Sequence, residues 1–159
     1  MLLIVWHSRT GAARALAEAA YRGAAAEAPA RLLAAEQAVP DDLLAACGYV
    51  FACPENLGTM AGSMKEFFDR CYYPLLGRIE GRAYATLIAA GSDGSGAQRQ
   101  LDRIVTGWRL RRIADGLIVN LGAQTPEAIL APKTVPAASL QKCHELGQAM
   151  AAGLALGVF

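Results

Sequence analysis

Apolar and polar positions change period along this chain in a regular alternation. Residues 1–6 (Met-Leu-Leu-Ile-Val-Trp) form an unbroken apolar run, long enough for one buried parallel strand and far too short to span a membrane. Over residues 12–28 the period becomes helical: Ala13, Leu16, Ala17, Ala20 and Ala24 share one face, and Pro29 ends the segment. Residues 30–34 read as a weak second strand, followed by a short helix after Pro40-Asp41-Asp42. Residues 49–53 are a buried third strand that ends at Pro54. Met60, Met64, Phe67, Phe68 and Cys71 recur at helical spacing, with Ser63 and Glu66 placed as a capping box. Residues 82–90 make a fourth strand. Ala97, Leu101, Ile104, Val105 and Trp108 mark another helix face, and residues 117–121 a fifth strand. Residues 125–136, rich in proline, read as a loop before a last helix lined by Leu140, Cys143, Gly147, Met150 and Leu154.

Strands that alternate with helices in this way predict an α/β fold: an open five-stranded parallel sheet with helices on both faces, in one domain over residues 1–159. In such sheets a ligand lies beyond the carboxyl ends of the strands, where strand order reverses. Three segments of unusual composition follow strands one, three and four: residues 8–13, 54–60 and 91–96. In the order 2-1-3-4-5 those strands are neighbours, so the three loops are expected to share one crevice.

The first of these loops has chemistry of its own. Ser8-Arg9-Thr10-Gly11-Ala12-Ala13 stands at a strand-to-helix turn, where free backbone N–H groups and the positive end of a helix dipole suit an anion. Ser8 and Thr10 add hydroxyls, Arg9 a charge, and Gly11 a close backbone approach. No Gly-Lys pair follows, as a P-loop needs, and a single glycine falls short of the dinucleotide fingerprint. Taken alone, the segment reads equally well as an N-cap by Ser8 or Thr10. Convergence with the other two loops favours a ligand.

Composition narrows the function. Of 159 residues, 15 are Lys or Arg and 14 Asp or Glu, and 54% are apolar, which excludes the basic excess of a dedicated nucleic-acid binder and argues against disorder. Cys47, Cys53, Cys71 and Cys143 form no Cys-x-x-Cys pair, so neither a zinc site nor a dithiol motif is indicated. They suit the core of a reduced, cytoplasmic protein. The N-terminal apolar run lacks a basic leader and is not read as a signal peptide.

Ser8-Arg9-Thr10-Gly11, then residues 54–60 (Pro-Glu-Asn-Leu-Gly-Thr-Met) leading to 64–69 (Met-Lys-Glu-Phe-Phe-Asp), and then 91–96 (Gly-Ser-Asp-Gly-Ser-Gly) resemble the three FMN-binding loops of flavodoxin-like proteins. The likeness extends over residues 2–121 and is strongest to NAD(P)H-dependent FMN reductases and flavodoxin-type NAD(P)H:quinone oxidoreductases. It implies a three-layer flavodoxin-like fold, FMN as cofactor, NAD(P)H as electron donor and a small-molecule acceptor. It also implies that Ser8, Arg9, Thr10, Gly11, Ala12 and Ala13 hold the FMN phosphate. Pro54, Glu55, Asn56, Leu57 and Gly58 would lie along the isoalloxazine ring, with Gly91, Ser92, Asp93, Gly94 and Ser95 at its pyrimidine end. Ala13 departs from the Ser or Thr common at the end of the phosphate loop. Ala114-Asp115 stands where quinone oxidoreductases of this type carry a His. No catalytic side chain is named, because the cofactor carries the chemistry. Dimers are common among similar reductases, and no stretch of this chain demands one.

Two other functions compete. A one-electron carrier of the flavodoxin type would be strongly acidic and would stack aromatic residues on the flavin, whereas residues 54–60 and 91–96 contain no aromatic residue. A small serine hydrolase would use Ala90-Gly91-Ser92-Asp93-Gly94 as a nucleophile elbow with Ser92, Asp115 and His144 in hydrolase order, leaving the first two loops without a role. His7, Trp108 and Cys53 read first as packing residues. Arg109, Arg111 and Arg112 read as a solvated cluster or a grip for a dinucleotide phosphate, and Tyr72-Tyr73 as a helix end or a substrate wall.

Overall fold

A computed structural model describes residues 1–159. The elements in chain order are β1 (Leu2–Trp6), α1 (Ala12–Glu27), β2 (Ala30–Ala34), α2 (Pro40–Ala45), β3 (Gly48–Asn56), β4 (Thr59–Met60) and α3 (Gly62–Leu75). They are followed by β5 (Ala83–Ala90), α4 (Ser95–Gly107), β6 (Arg111–Arg112), β7 (Leu117–Asn120), α5 (Pro126–Leu130) and α6 (Ala137–Ala155). β2, β1, β3 and β5 lie side by side and parallel, with Ile4 opposite Leu32 on one side and Val50 on the other. The fold is α/β and flavodoxin-like.

The five-strand count is corrected to seven. β4 folds back antiparallel on β3, and the outer edge of β5 is shared by two short strands, β6 at its start and β7 at its end. Between them residues 113–116 leave the ladder. Beside this gap Thr86, fully buried on β5, donates from Oγ1 to Oε1 of Gln98 (2.7 Å), and Gln98 donates to Asp102 (2.9 Å). Those side chains need partners, and Gly116 fits beside them only because it has no Cβ.

Alternation along the strands separates two cores. Leu3, Val5, Tyr49, Phe51 and Ile88 face α3 and α4, where Phe67, Phe68 and Trp108 pack as tilted aromatic pairs with centroids 5.1 to 5.5 Å apart. Leu2, Ile4, Val50, Ala52, Ala85 and Ala89 face α1 and α6. This second face is small-residue packing. A Cβ at Gly23 would overlap the His144 carbonyl, and one at Gly147 the Ala20 carbonyl, so the two helices touch backbone to backbone.

Three local expectations are revised. β3 does not end at Pro54 but runs to Asn56. Ala52 faces β1, since its carbonyl accepts from the His7 N–H, so Pro54, two residues on, faces the same side beyond the end of β1, where no donor is required. The Ser63–Glu66 capping box does not form. α3 starts from Ala61 without a side-chain cap, and Glu66 pairs with Arg70 one turn on (2.9 Å). Within residues 125–136, a five-residue helix, α5, is capped by Thr125, which accepts from the Ala128 N–H (3.2 Å).

Candidate functional site

The carboxyl ends of β1, β3 and β5 deliver the three loops to one cavity of about 510 Å³, within the size range of small-molecule sites. Ser8, Arg9, Thr10, Ala12, Ala13, Pro54, Glu55, Asn56, Leu57, Gly58, Gly91 and Ser92 line it. Gly11, Asp93, Gly94 and Ser95 fall outside it.

At one end of the cavity α1 begins without a cap. Gly11, in the left-handed region (φ 95), turns the chain into the helix, and no side chain accepts from the helix N–H groups. Ser8 Oγ accepts from the Gly11 N–H (3.1 Å), one residue too early to cap α1. The N–H groups of Ala12, Ala13 and Arg14 have no acceptor in the protein, and the first helical bond joins Ala15 to Gly11. Ala13 is fully buried in the core beneath, so it contributes a backbone donor and no hydroxyl. Three orphan donors at a helix start are a donor set fitted to a phosphate.

The second loop is a two-residue hairpin between β3 and β4, with Leu57 (φ 53) and Gly58 (φ 75) both at positive φ, as a type I′ turn requires. Leu57 is strained there, and its side chain is fully exposed at the rim. The third loop is bolted to the second. Glu55, the one carboxylate of the lining, accepts from the N–H groups of Gly94 and Ala97 (both 2.9 Å), and so caps α4 from another loop. Gly96 lies against the Gly58 carbonyl, where a Cβ would overlap it. Asp93 and Ser95 turn to solvent and bond each other (2.6 Å), and that hydrogen bond holds the fully exposed Asp93 carboxyl below its usual range.

Several lining residues carried no usable signal in the sequence. Ala89 and Ala90 end β5, and Leu121 and Ala123 follow β7. Asn120 holds the third loop by donating to the Ser92 carbonyl while accepting from the Gly122 N–H. Ile129, Leu130 and Lys133 come from α5 and the stretch after it. The lining contains no aromatic residue.

Other candidates lie elsewhere. His7 turns from the cavity to Glu36 (Nδ1 to Oε1, 2.5 Å) beside a second, polar cavity of about 420 Å³ that shares Ser8, Arg9 and Asn56 with the first. Hydrogen bonds from its own backbone N–H and from His7 outweigh partial burial and hold the Glu36 carboxyl below its usual range. Arg111 and Arg112 pair with the start of β5, about 20 Å of strand from Ala90, and do not line the cavity. Tyr72 packs on Trp108, whose indole N–H donates to the Tyr72 carbonyl (3.0 Å), so it belongs to the core. Cys53 is buried and its thiol is pushed up to about 12 by that burial. The hydrolase triad does not assemble: His144 sits on α6 against α1, three turns from the cavity end of that helix, and its buried Nδ1 has no partner. No three His, Cys, Asp or Glu side chains gather as a metal site, and no helix is long and apolar enough to cross a membrane.

Among known families, the model of the NADPH-dependent FMN reductases matches residues 21–123. The chain belongs to that family. Within this FMN reductase family member, the matched stretch takes in the second and third loops and begins after the first. A flavodoxin of Aquifex aeolicus is 30% identical over 107 residues, 66% of this chain and 58% of its own length, so the chain spans little more than half of that relative. Among solved structures, a flavodoxin from the domain Archaea superposes with a TM-score of 0.80 at 17% identity, covering 97% of this chain and 98% of the other. A flavodoxin, WrbA-like protein from Agrobacterium tumefaciens gives 0.77 at 17% identity over 98% and 97%. At such identity these two likenesses speak for the fold.

Proposed function

We propose that this chain binds FMN in the 510 Å³ cavity and uses it to pass electrons from NADH or NADPH to a small organic acceptor, in the cytoplasm, where its four free cysteines stay reduced. One observation carries the reading: three loops from three strands converge on a single cavity whose end is an uncapped helix start. The residues fit the group. The N–H groups of Ala12 and Ala13, with Ser8, Thr10 and Arg9, suit the phosphate, and the apolar lining residues Ala89, Ala90, Leu121 and Leu57 suit the ring. When bound, FMN supplies hydride acceptance and donation at its ring.

The protein then has positioning work to do. Glu55 and Gly96 fix the second loop against the third, so that backbone groups on both sides of the ring keep their places. No side-chain acid or base is assigned. The family name supports a nicotinamide donor, and a lining without aromatic residues leaves a ring face open for one.

A second reading, a flavodoxin-type electron carrier, is supported by the Aquifex relative. Net charge +1 and the missing aromatic walls weigh against it. Flavin titration followed by anaerobic addition of NADH and NADPH separates the two. The reductase reading expects either nucleotide to bleach the bound flavin completely and in one stage. A flavin that binds but ignores both nucleotides favours the carrier.

A further inference from the structure

Of the stretch from Thr125 to Val135 only Val135 is buried in the core, yet the whole stretch is held in one place. α5 buries none of its residues. The Lys133 N–H donates to the Thr10 carbonyl (2.9 Å), tying this stretch directly to the first loop. The Lys133 ammonium donates to the carbonyls of Ile129 (2.9 Å) and Ala131, which α5 leaves open at its end. Two of its three protons are thereby used and one remains. Lys133 lines the same cavity as Ser8, Arg9 and Thr10, although it comes from the far end of the chain.

Charge counting gives this lysine a task. A phosphate monoester carries about −1.5 to −2 near neutral pH, and a helix start offers about +0.5. Arg9 adds one positive charge and is exposed, so these two together fall short of the dianion. Lys133 makes up the difference. The only carboxylate of the lining, Glu55, is engaged with α4 and does not compete for the ammonium.

We propose that Lys133 is a phosphate ligand, carried to the first loop by a strap formed by residues 125–135, and that it makes the cavity select FMN over riboflavin. The inference rests on the reading of this cavity as the FMN site and assigns within it a cation that neither the strand ends nor the matched family stretch supplies.

The test is to titrate the wild-type chain, Lys133→Met and Lys133→Arg with FMN and with riboflavin, following flavin fluorescence, and to repeat the wild-type titrations with inorganic phosphate as competitor. Lys133→Met is expected to weaken FMN roughly tenfold or more while moving riboflavin less than about twofold, and Lys133→Arg to keep most of the preference. Phosphate should displace FMN and leave riboflavin in place. An equal loss of both flavins in Lys133→Met would make the strap a purely mechanical support and overturn the assignment, as would no change in either. Wild-type protein that takes up neither flavin would overturn the reading of the cavity itself.

Discussion

Glu55 and Gly94 meet across the gap between the second and third loops, with the carboxylate Oε1 2.9 Å from the glycine nitrogen. The second oxygen reaches Ala97 at the same distance, so one side chain satisfies two N–H groups of a helix start that has no cap of its own. Glu55→Ala leaves those donors half-buried without an acceptor, an expected loss of about 1–3 kcal/mol in urea unfolding. Flavin affinity should fall with it, because the third loop then keeps only its Asn120 tether at Ser92 and loses the one at Gly94. Glu55→Gln keeps one acceptor oxygen and should show about half of the stability loss.

Gly96→Ala tests the contact between the same two loops through the sign of its effect. Helix propensity alone predicts a gain of up to about 1 kcal/mol on replacing a helical glycine with alanine. The Gly58 carbonyl stands where the new methyl would go. The substitution should therefore lower the melting temperature and weaken FMN. A rise in melting temperature would show that the hairpin moves aside freely.

Leu57→Asn should separate stability from binding. Asn-Gly is the preferred pair for a type I′ turn, and relief of the left-handed leucine should add about 0.5–1 kcal/mol, or about 1–4 °C in melting temperature. The leucine side chain is fully exposed at the cavity rim, so its removal takes apolar surface from the ligand, and FMN should bind several-fold more weakly. Calorimetry and a flavin titration on the same sample check both signs.

Thiol reactivity should follow burial. Cys47 is exposed, whereas Cys53, Cys71 and Cys143 are buried, and that burial pushes their thiols up to about 12, 11 and 11. A disulfide reagent near pH 8 should titrate about one thiol per folded chain, with Cys47→Ser removing it. The other three should react only on unfolding.

The elements that carry full periods were legible in the residues. Five strand runs and four longer helices stood out because unbroken apolar runs and apolar spacing near 3.6 residues are each long enough to be recognised, and their alternation placed the three loops at one end of the sheet. The rest depended on contacts distant in sequence. That Glu55 caps a helix beginning at Ser95 leaves no local trace. α5 is too short to show a helical period, so Ile129, Leu130 and Lys133 looked like loop residues. Pro54 read as a stop because the end of β1, which frees it from donating, is a fact about another strand.

The backbone contact of α1 with α6 at Gly23 and Gly147 clamps the second half of α1, and burial of Ala12 and Ala13 seats its start in the core. Its first turn, where the orphan N–H groups stand, is therefore a fixed anchorage, the same whether loaded or empty. Adaptation to an incoming ring is left to the parts least packed against the core, the exposed Leu57 at the hairpin tip and α5, none of whose residues is buried. Crystals grown with and without flavin should accordingly superpose on residues 12–27 and differ at those two places.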